Sequence, residues 1–477
     1  MTARLLPAHF VGLACACGLA AADAVRLQGA AAAALAAVVV PVAAGLCAPP
    51  GWSRIAVAAA FVFAGAWWWG SARLDTLDRS VLAPRIGTAD RFVAVTTAEA
   101  RRGRFDQRQR AVVRGEPVEL KLRPGRSPPQ GARLSVLAVV QAPRGPKNGF
   151  DERTWLRRQG VHVVLRVDEW HPVGRRSGLG GVADRLRGRL RSSSAPGLRG
   201  ERRALVEGVL LGDDAGLSDG LKQSFRRSGL YHLLAVSGQN VVLLAGGVLG
   251  LFLVAGIGRA YAHVAALAAI CAYVLAVGPQ PSVIRAAVAG AAVSVAWLAG
   301  RLRDAWHVLL LAACVLLGWN PYTLFDAGFQ LSFGAVVAIF VVGGPLRREL
   351  EGYPMPARLR TALAISVACT VVTAPLLWLE FDRVPLYGVA ANALVEPMMP
   401  LLLGLAFAAA AVDPVAPWLA VELAWLNGWV AAYVAACARA VSALPGAQAS
   451  GRGAALAAAA ALAAAVVLWR RVVRPYP

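Results

Sequence analysis

His232, Ser237, Gln239 and Asn240 fall within the nine-residue segment HLLAVSGQN, inside an otherwise apolar stretch. The apolar sequence is broken four more times downstream. Pro281, Ser282 and Arg285 lie in QPSVIRA, and Asn320, Asp326 and Gln330 in NPYTLFDAGFQLSF. Thr373 precedes Pro375 in TAPL, and Asn392 and Glu396 precede Pro397. Polar groups are costly in lipid and collect where they face one another or water. Broken backbone at membrane depth is tolerated only inside protein or beside a cavity. Five such segments imply a solvent-accessible cavity lined by these residues. The alternative is that each residue only joins neighbouring helices.

The same residues make a poor enzyme. On one helix, His232 and Ser237 would stand about 140° apart, too far round to form a nucleophile–base pair. The sequence contains no G-x-S-x-G, H-E-x-x-H, P-loop or H-x-H-x-D-H pattern, and its six histidines are scattered. No enzymatic activity, metal or cofactor is expected.

The elements that must position these groups follow from composition. Hydrophobic residues make up 57% and charged residues 16%, with a mean hydropathy of +0.55. A soluble domain carries about 25% charged residues, so most of this chain is expected in lipid. Apolar runs near residues 8–25, 29–48 and 53–70 read as three spans. Nine more read near 231–256, 260–278, 283–300, 305–319, 323–344, 360–380, 386–412, 415–440 and 452–470. The seven cysteines all sit in apolar runs and read as small buried hydrophobes.

Between the two sets of runs the character changes. Residues 71–180 hold 22 basic and 11 acidic residues, half of the net charge of +22. Short alternating runs at 91–97, 117–123, 133–140 and 161–167, bounded by Gly, Pro and Arg, predict a small all-β, OB-like barrel over 75–175. Arg101, Arg102, Arg104, Arg108 and Arg110 are its candidate phosphate contacts. Residues 176–230 predict amphipathic helices. Val182, Leu186 and Leu190 alternate with arginines, as in a helix lying at a membrane surface. The reading is a polytopic α-helical membrane protein with one inserted soluble domain: anchors over 1–74, the barrel, the interfacial helices, and a channel domain over 231–477. With the N-terminus inside, the basic segments 301–304, 345–360 and 470–474 face the cytoplasm and the barrel lies outside.

The motifs resemble those of the ComEC family, the competence channel that admits one DNA strand. FRRSGLYHLLAVSGQNV (225–241), PSVIRA (281–286), NPYTLFDAGFQLSF (320–333), TAP (373–375) and ANALVEP (391–397) carry the resemblance. PKNGFDERTWLRRQGV (146–161) resembles the end of the family's OB-like domain. Many members have His where this chain has Asn240. The resemblance implies single-stranded DNA import across the cytoplasmic membrane, with an outer DNA receptor and a cytoplasmic helicase-like ATPase as partners. Many members continue into a metallo-β-lactamase-like domain. Its His/Asp signature is not in this sequence, which implies a separate nuclease. The alternative is a transporter or enzyme of the same fold acting on another polyanion or envelope component.

Overall fold

The computed structural model describes residues 7–27, 29–47, 49, 52–103, 105–147, 150–298 and 304–473. The molecule is 68% helical. Among the described residues, seven helices are long and apolar enough to cross a membrane: Ser53–Leu77, Arg259–Val277, Pro281–Leu298, Ala327–Gly352, Ala357–Phe381, Gly388–Val412 and Pro417–Ala443. Five shorter apolar helices accompany them: Ala8–Ala24, Ala36–Gly45, Gly238–Val254, Ala305–Trp319 and Arg452–Val467. The chain is a polytopic membrane protein. It divides into two compact units, Met1–Arg185 with Leu302–Leu324, and Leu186–Arg301 with Phe325–Pro477.

In the first unit, helices Pro7–Ala24 and Ser53–Leu77 pack closely enough that a Cβ on Gly18 would meet the Phe63 carbonyl oxygen at 2.3 Å. Small residues permit this approach where lipid supplies no hydrophobic drive. Helix Ala305–Trp319 joins the same group. The Trp69 indole donates to Gly318 O at 2.9 Å, and Arg73 donates to Trp319 O at 2.7 Å. Indoles and arginines at helix ends mark an apolar–aqueous boundary. Of the six described cysteines, Cys17 and Cys271 are exposed on their helices, against the expectation that all are buried.

Asp78 closes the Ser53–Leu77 helix and ties the barrel to it. Its carboxylate accepts from Arg26 Nη2 at 2.5 Å, from Arg157 Nε at 2.9 Å and Nη2 at 2.7 Å, and from the Tyr322 hydroxyl at 3.0 Å. Burial alone would raise the Asp78 pKa, but these donors outweigh it and hold it down to about 2. The same contacts push Arg157 upward, led by its hydrogen bonds to Asp78.

The barrel has five main strands and one short one: β1 (Ala89–Thr96), β2 (Arg101–Arg102), β3 (Gln107–Val113), β4 (Glu116–Leu122), β5 (Ala132–Gln141) and β6 (Val164–Arg175). Neighbours run β1-β5-β6-β4-β3, and β3 pairs back onto β1, which closes the ring. Only β4 and β6 are parallel. Arg114 and Gly115, both at positive φ (52° and 82°), form the tight β3–β4 turn, the backbone twist that two-residue hairpins require. Phe92, Leu120, Leu134, Val136 and Leu165 fill the interior.

Strand β3 was not legible. Its sequence QRQRAVV shows no apolar alternation at the start because Gln107 and Gln109 point inward. Their amides donate to loop carbonyls, Gln107 to Gly125 O and Gln109 to Ala98 O and Pro128 O, each at 2.9 Å.

In the second unit, Gly200–Leu211 and Asp219–Ser228 supply much of the core, with Leu205, Leu210, Leu221 and Phe225 fully buried. Helix Gly178–Ser194, read from the sequence as lying at a membrane surface, turns two of its arginines inward. Arg187 donates to Leu211 O and Ala276 O, each at 3.3 Å, and Arg191 pairs with Asp213 and with Glu207. Arg187 therefore sits at two helix C-termini, where the macrodipole favours a cation. Arg185 and Arg189 remain exposed.

Candidate functional site

Within the second unit, several polar residues gather around the start of helix Gly238–Val254. His232 lies in the separate 3-10 turn Tyr231–Leu234 and shares a 3.0 Å contact with Gly229 O. His232 and Ser237 are thus not on one helix. Ser237 precedes Gly238–Val254 but does not cap it; its hydroxyl donates to Asn240 Oδ1 at 3.0 Å. Gln239 is half-buried beside it.

Asn240 is buried and committed. Its amide donates to Val209 O at 2.8 Å and to the Tyr273 hydroxyl at 2.9 Å. Tyr273 in turn donates to Leu210 O at 2.6 Å. With Arg187 on Leu211 O and the Gly212 amide on Gly208 O, all four terminal carbonyls of Gly200–Leu211 have donors. A helix end buried away from water must be satisfied in this way. Asn240 is a clasp at this position, not part of an open lining. Tyr273, its partner, carried no sequence signal beyond being a polar ring in an apolar span.

Pro281 opens helix Pro281–Leu298, and Ser282 donates to Val236 O at 2.5 Å. Arg285 Nη1 donates to Ser332 O at 3.0 Å, and its Nη2 lies against Gly238, within 3.9 Å of where a Cβ would stand. Its Nε is buried without a partner, and no carboxylate pairs with Arg285 among the described residues. Asp326 caps Ala327–Ala338 by accepting from the Phe329 amide at 3.0 Å. Gln330 lies half-buried one turn further on.

Thr373 donates to Cys369 O at 2.8 Å, two residues before Pro375 inside helix Ala357–Phe381. Asn392 lies in Gly388–Val395, which a 3-10 turn at Glu396–Met398 separates from Met399–Val412. Among the described residues the Asn392 Oδ1 and the Ser332 hydroxyl are buried without partners, and Glu396 is exposed. Glu396 lies within electrostatic reach of His232 and Cys369, and Arg285 within reach of Cys369. His232, Glu396, Cys369, Arg285 and Ser332 are thus linked in sequence of reach, and Asn392 lies one helical turn before Glu396. Asn320 belongs to the first unit, where its amide donates to Arg158 O at 2.9 Å.

On the barrel, the arginine run divides. Arg108 pairs with Glu119 at 3.1 Å and with Glu152, and lies 3.9 Å from Asp106. Burial would lower its pKa, but these carboxylates raise it. Arg110 donates to Gln159, lies 3.9 Å from Glu119 and stacks over Trp155 at 5.3 Å. Burial is the first cause pulling its pKa below the ordinary value. Both are engaged by side chains of the barrel unit itself. Arg101 is exposed, Arg102 lies in β2, and Arg104 falls outside the described residues. Arg144, Lys147 and Arg153, missed as a group, are all exposed beside Phe150 and Trp155.

Comparison with known proteins follows this division. The family described as Competence protein matches residues 209–474. The chain is 29% identical to the ComE operon protein 3 of Bacillus subtilis (strain 168) over 253 residues, covering 52% of this chain and 31% of that one. It is 28% identical to Competence protein ComA of Neisseria gonorrhoeae over 303 residues, covering 60% of this chain and 42% of the other. The match thus spans less than half of either relative. No solved structure matches.

Proposed function

The chain belongs to the Competence protein family, and from that premise we propose that it forms the path by which single-stranded DNA crosses the cytoplasmic membrane in natural transformation. One observation carries the reading. Arg285 stands in an apolar span and donates to one backbone carbonyl, and among the described residues its Nε has no partner and no carboxylate pairs with it. An intramembrane guanidinium without a counter-ion is costly unless it faces water or a passing anion. A phosphate diester supplies that anion and matches the planar fork. The broken helix Gly388–Val412 and the Asn392 Oδ1, buried without a partner among the described residues, support a polar lining.

In this reading the barrel lies outside the membrane, is OB-like, and gathers DNA by contacts to phosphate. Its closed five-strand ring supports that assignment. The chain performs no hydrolysis. Strand movement is driven by a cytoplasmic helicase-like ATPase, and DNA is delivered by an outer receptor. The test is a deletion strain given labelled DNA, with surface-bound and imported label scored separately. Loss of import with surface binding retained is the expected result. Unchanged import would overturn the proposal.

A further inference from the structure

The segment Lys147–Trp155 contains the one singled-out motif that the import reading leaves without a task. Lys147 and Phe150 exchange backbone hydrogen bonds of 2.9 and 3.1 Å. Asp151 then caps the short helix Glu152–Arg157, accepting from the Arg153 amide at 3.1 Å and the Thr154 amide at 3.3 Å. Two contacts fix this helix to β3. Glu152 pairs with Arg108, and Trp155 lies under Arg110 at 5.3 Å. Arg108 and Arg110 therefore serve as the seat of this helix.

What the seat presents is aromatic and basic. Phe150 is 55% exposed and Trp155 41%, with ring centroids 6.0 Å apart and planes tilted by 55°. Arg110 covers one face of Trp155, so Phe150 offers the freer ring. Arg144, Lys147 and Arg153 are exposed in the same stretch, and Arg153 donates its amide to Arg144 O at 3.0 Å. Large rings left in water have an unmet apolar surface, and cations beside them select an anionic partner. Unpaired nucleobases have a π-face for the rings and phosphates for the cations, and duplex DNA hides the former.

Resting on the proposed import function, we infer that Phe150 and Trp155, flanked by Arg144, Lys147 and Arg153, form a stacking platform for unpaired bases. The barrel would then select single strands at the surface by their bases as well as their phosphates.

The test uses the full chain in nanodiscs of neutral lipid, with fluorescence anisotropy of two labelled strands of equal length: oligothymidylate and an abasic strand. Wild type is expected to prefer oligothymidylate by about tenfold or more, the size of one or two stacked bases. Phe150→Leu keeps the apolar volume but removes the ring. It should remove most of that preference and leave abasic binding unchanged. Trp155→Leu should act in the same direction, and Phe150→Tyr should restore the preference. A preference unchanged in Phe150→Leu overturns the platform. So does an equal loss for both strands, which would make the ring an anchor of the barrel on lipid or protein. Wild type that binds neither strand removes the gathering role itself, a failure distinct from loss of stacking.

Discussion

Arg108 on the barrel and Arg285 in the helical unit hold their charge in opposite ways. Arg108 is surrounded by Asp106, Glu119 and Glu152. Arg285 has one carbonyl, Ser332 O, and no carboxylate among the described residues. At a watery surface a neutralised arginine is a structural strut and adds little net attraction for an anion. In lipid an arginine left without a counter-ion keeps its full attraction, because little solvent screens it. The density of arginines along the sequence is therefore a poor guide to where phosphate is held. Their partners decide it.

The largest effect expected from that contrast is at Arg285. Arg285→Met should lower transformation by about a hundredfold or more, the size of a lost charge-assisted bidentate contact. Arg285→Lys should recover little, since Lys lacks the planar fork. Immunoblotting of membranes should show normal amounts of both variants, and labelled DNA should still bind the surface. Near-normal transformation by Arg285→Lys would break the comparison.

Asp78→Asn comes next. Its carboxylate should stabilise the first unit by on the order of 2 kcal/mol at neutral pH, because its pKa falls from 3.8 to about 2 on folding. A depressed carboxylate pKa contributes fully above the unfolded value. The difference between wild type and Asp78→Asn should thus be constant from pH 7 to 5 and shrink as pH falls from about 4 toward 2. Thermal unfolding in detergent at several pH values reads this directly, and a gap that closes already between pH 7 and 5 would be wrong for this site.

On the barrel, replacing Arg144, Lys147 and Arg153 with Gln should flatten the salt dependence of single-strand binding by about 2 in slope. Arg108→Gln should leave the slope unchanged and instead destabilise the barrel, since Glu152 and Glu119 lose a partner. A slope that falls more for Arg108 than for the triple variant would reverse the assignment. The smallest effect is expected at Arg185 and Arg189, which are exposed. Replacing both with Gln should leave stability within about 0.5 kcal/mol of wild type.

These outcomes also bear on what could be read without coordinates. An apolar helix stands at each of the twelve runs because a 3.6-residue apolar surface in lipid leaves the backbone no other choice. Four barrel strands were legible because their inward residues are apolar. Strand β3 was not, since Gln107 and Gln109 occupy its inward positions. Pairing was hidden for a different reason. Asp326 and Arg285 have the right charges, but Asp326 is three residues before the Phe329 amide it caps, and a local donor wins over a distant one. Asn320 shares a motif with Asp326 yet bonds Arg158 of the barrel. Adjacency in a motif placed neither residue.

The end of helix Gly200–Leu211 has a consequence for how the protein is made. Tyr273, which donates to Leu210 O, follows it by 63 residues. At about 5–20 residues per second of synthesis, that carbonyl waits several seconds for its donor. Asn240, on Val209 O, follows by 31. Uncovered carbonyls cannot enter hydrocarbon during that interval. The end of this helix is therefore completed only after Gly238–Val254 and Arg259–Val277 have been synthesised, because each supplies one of its donors.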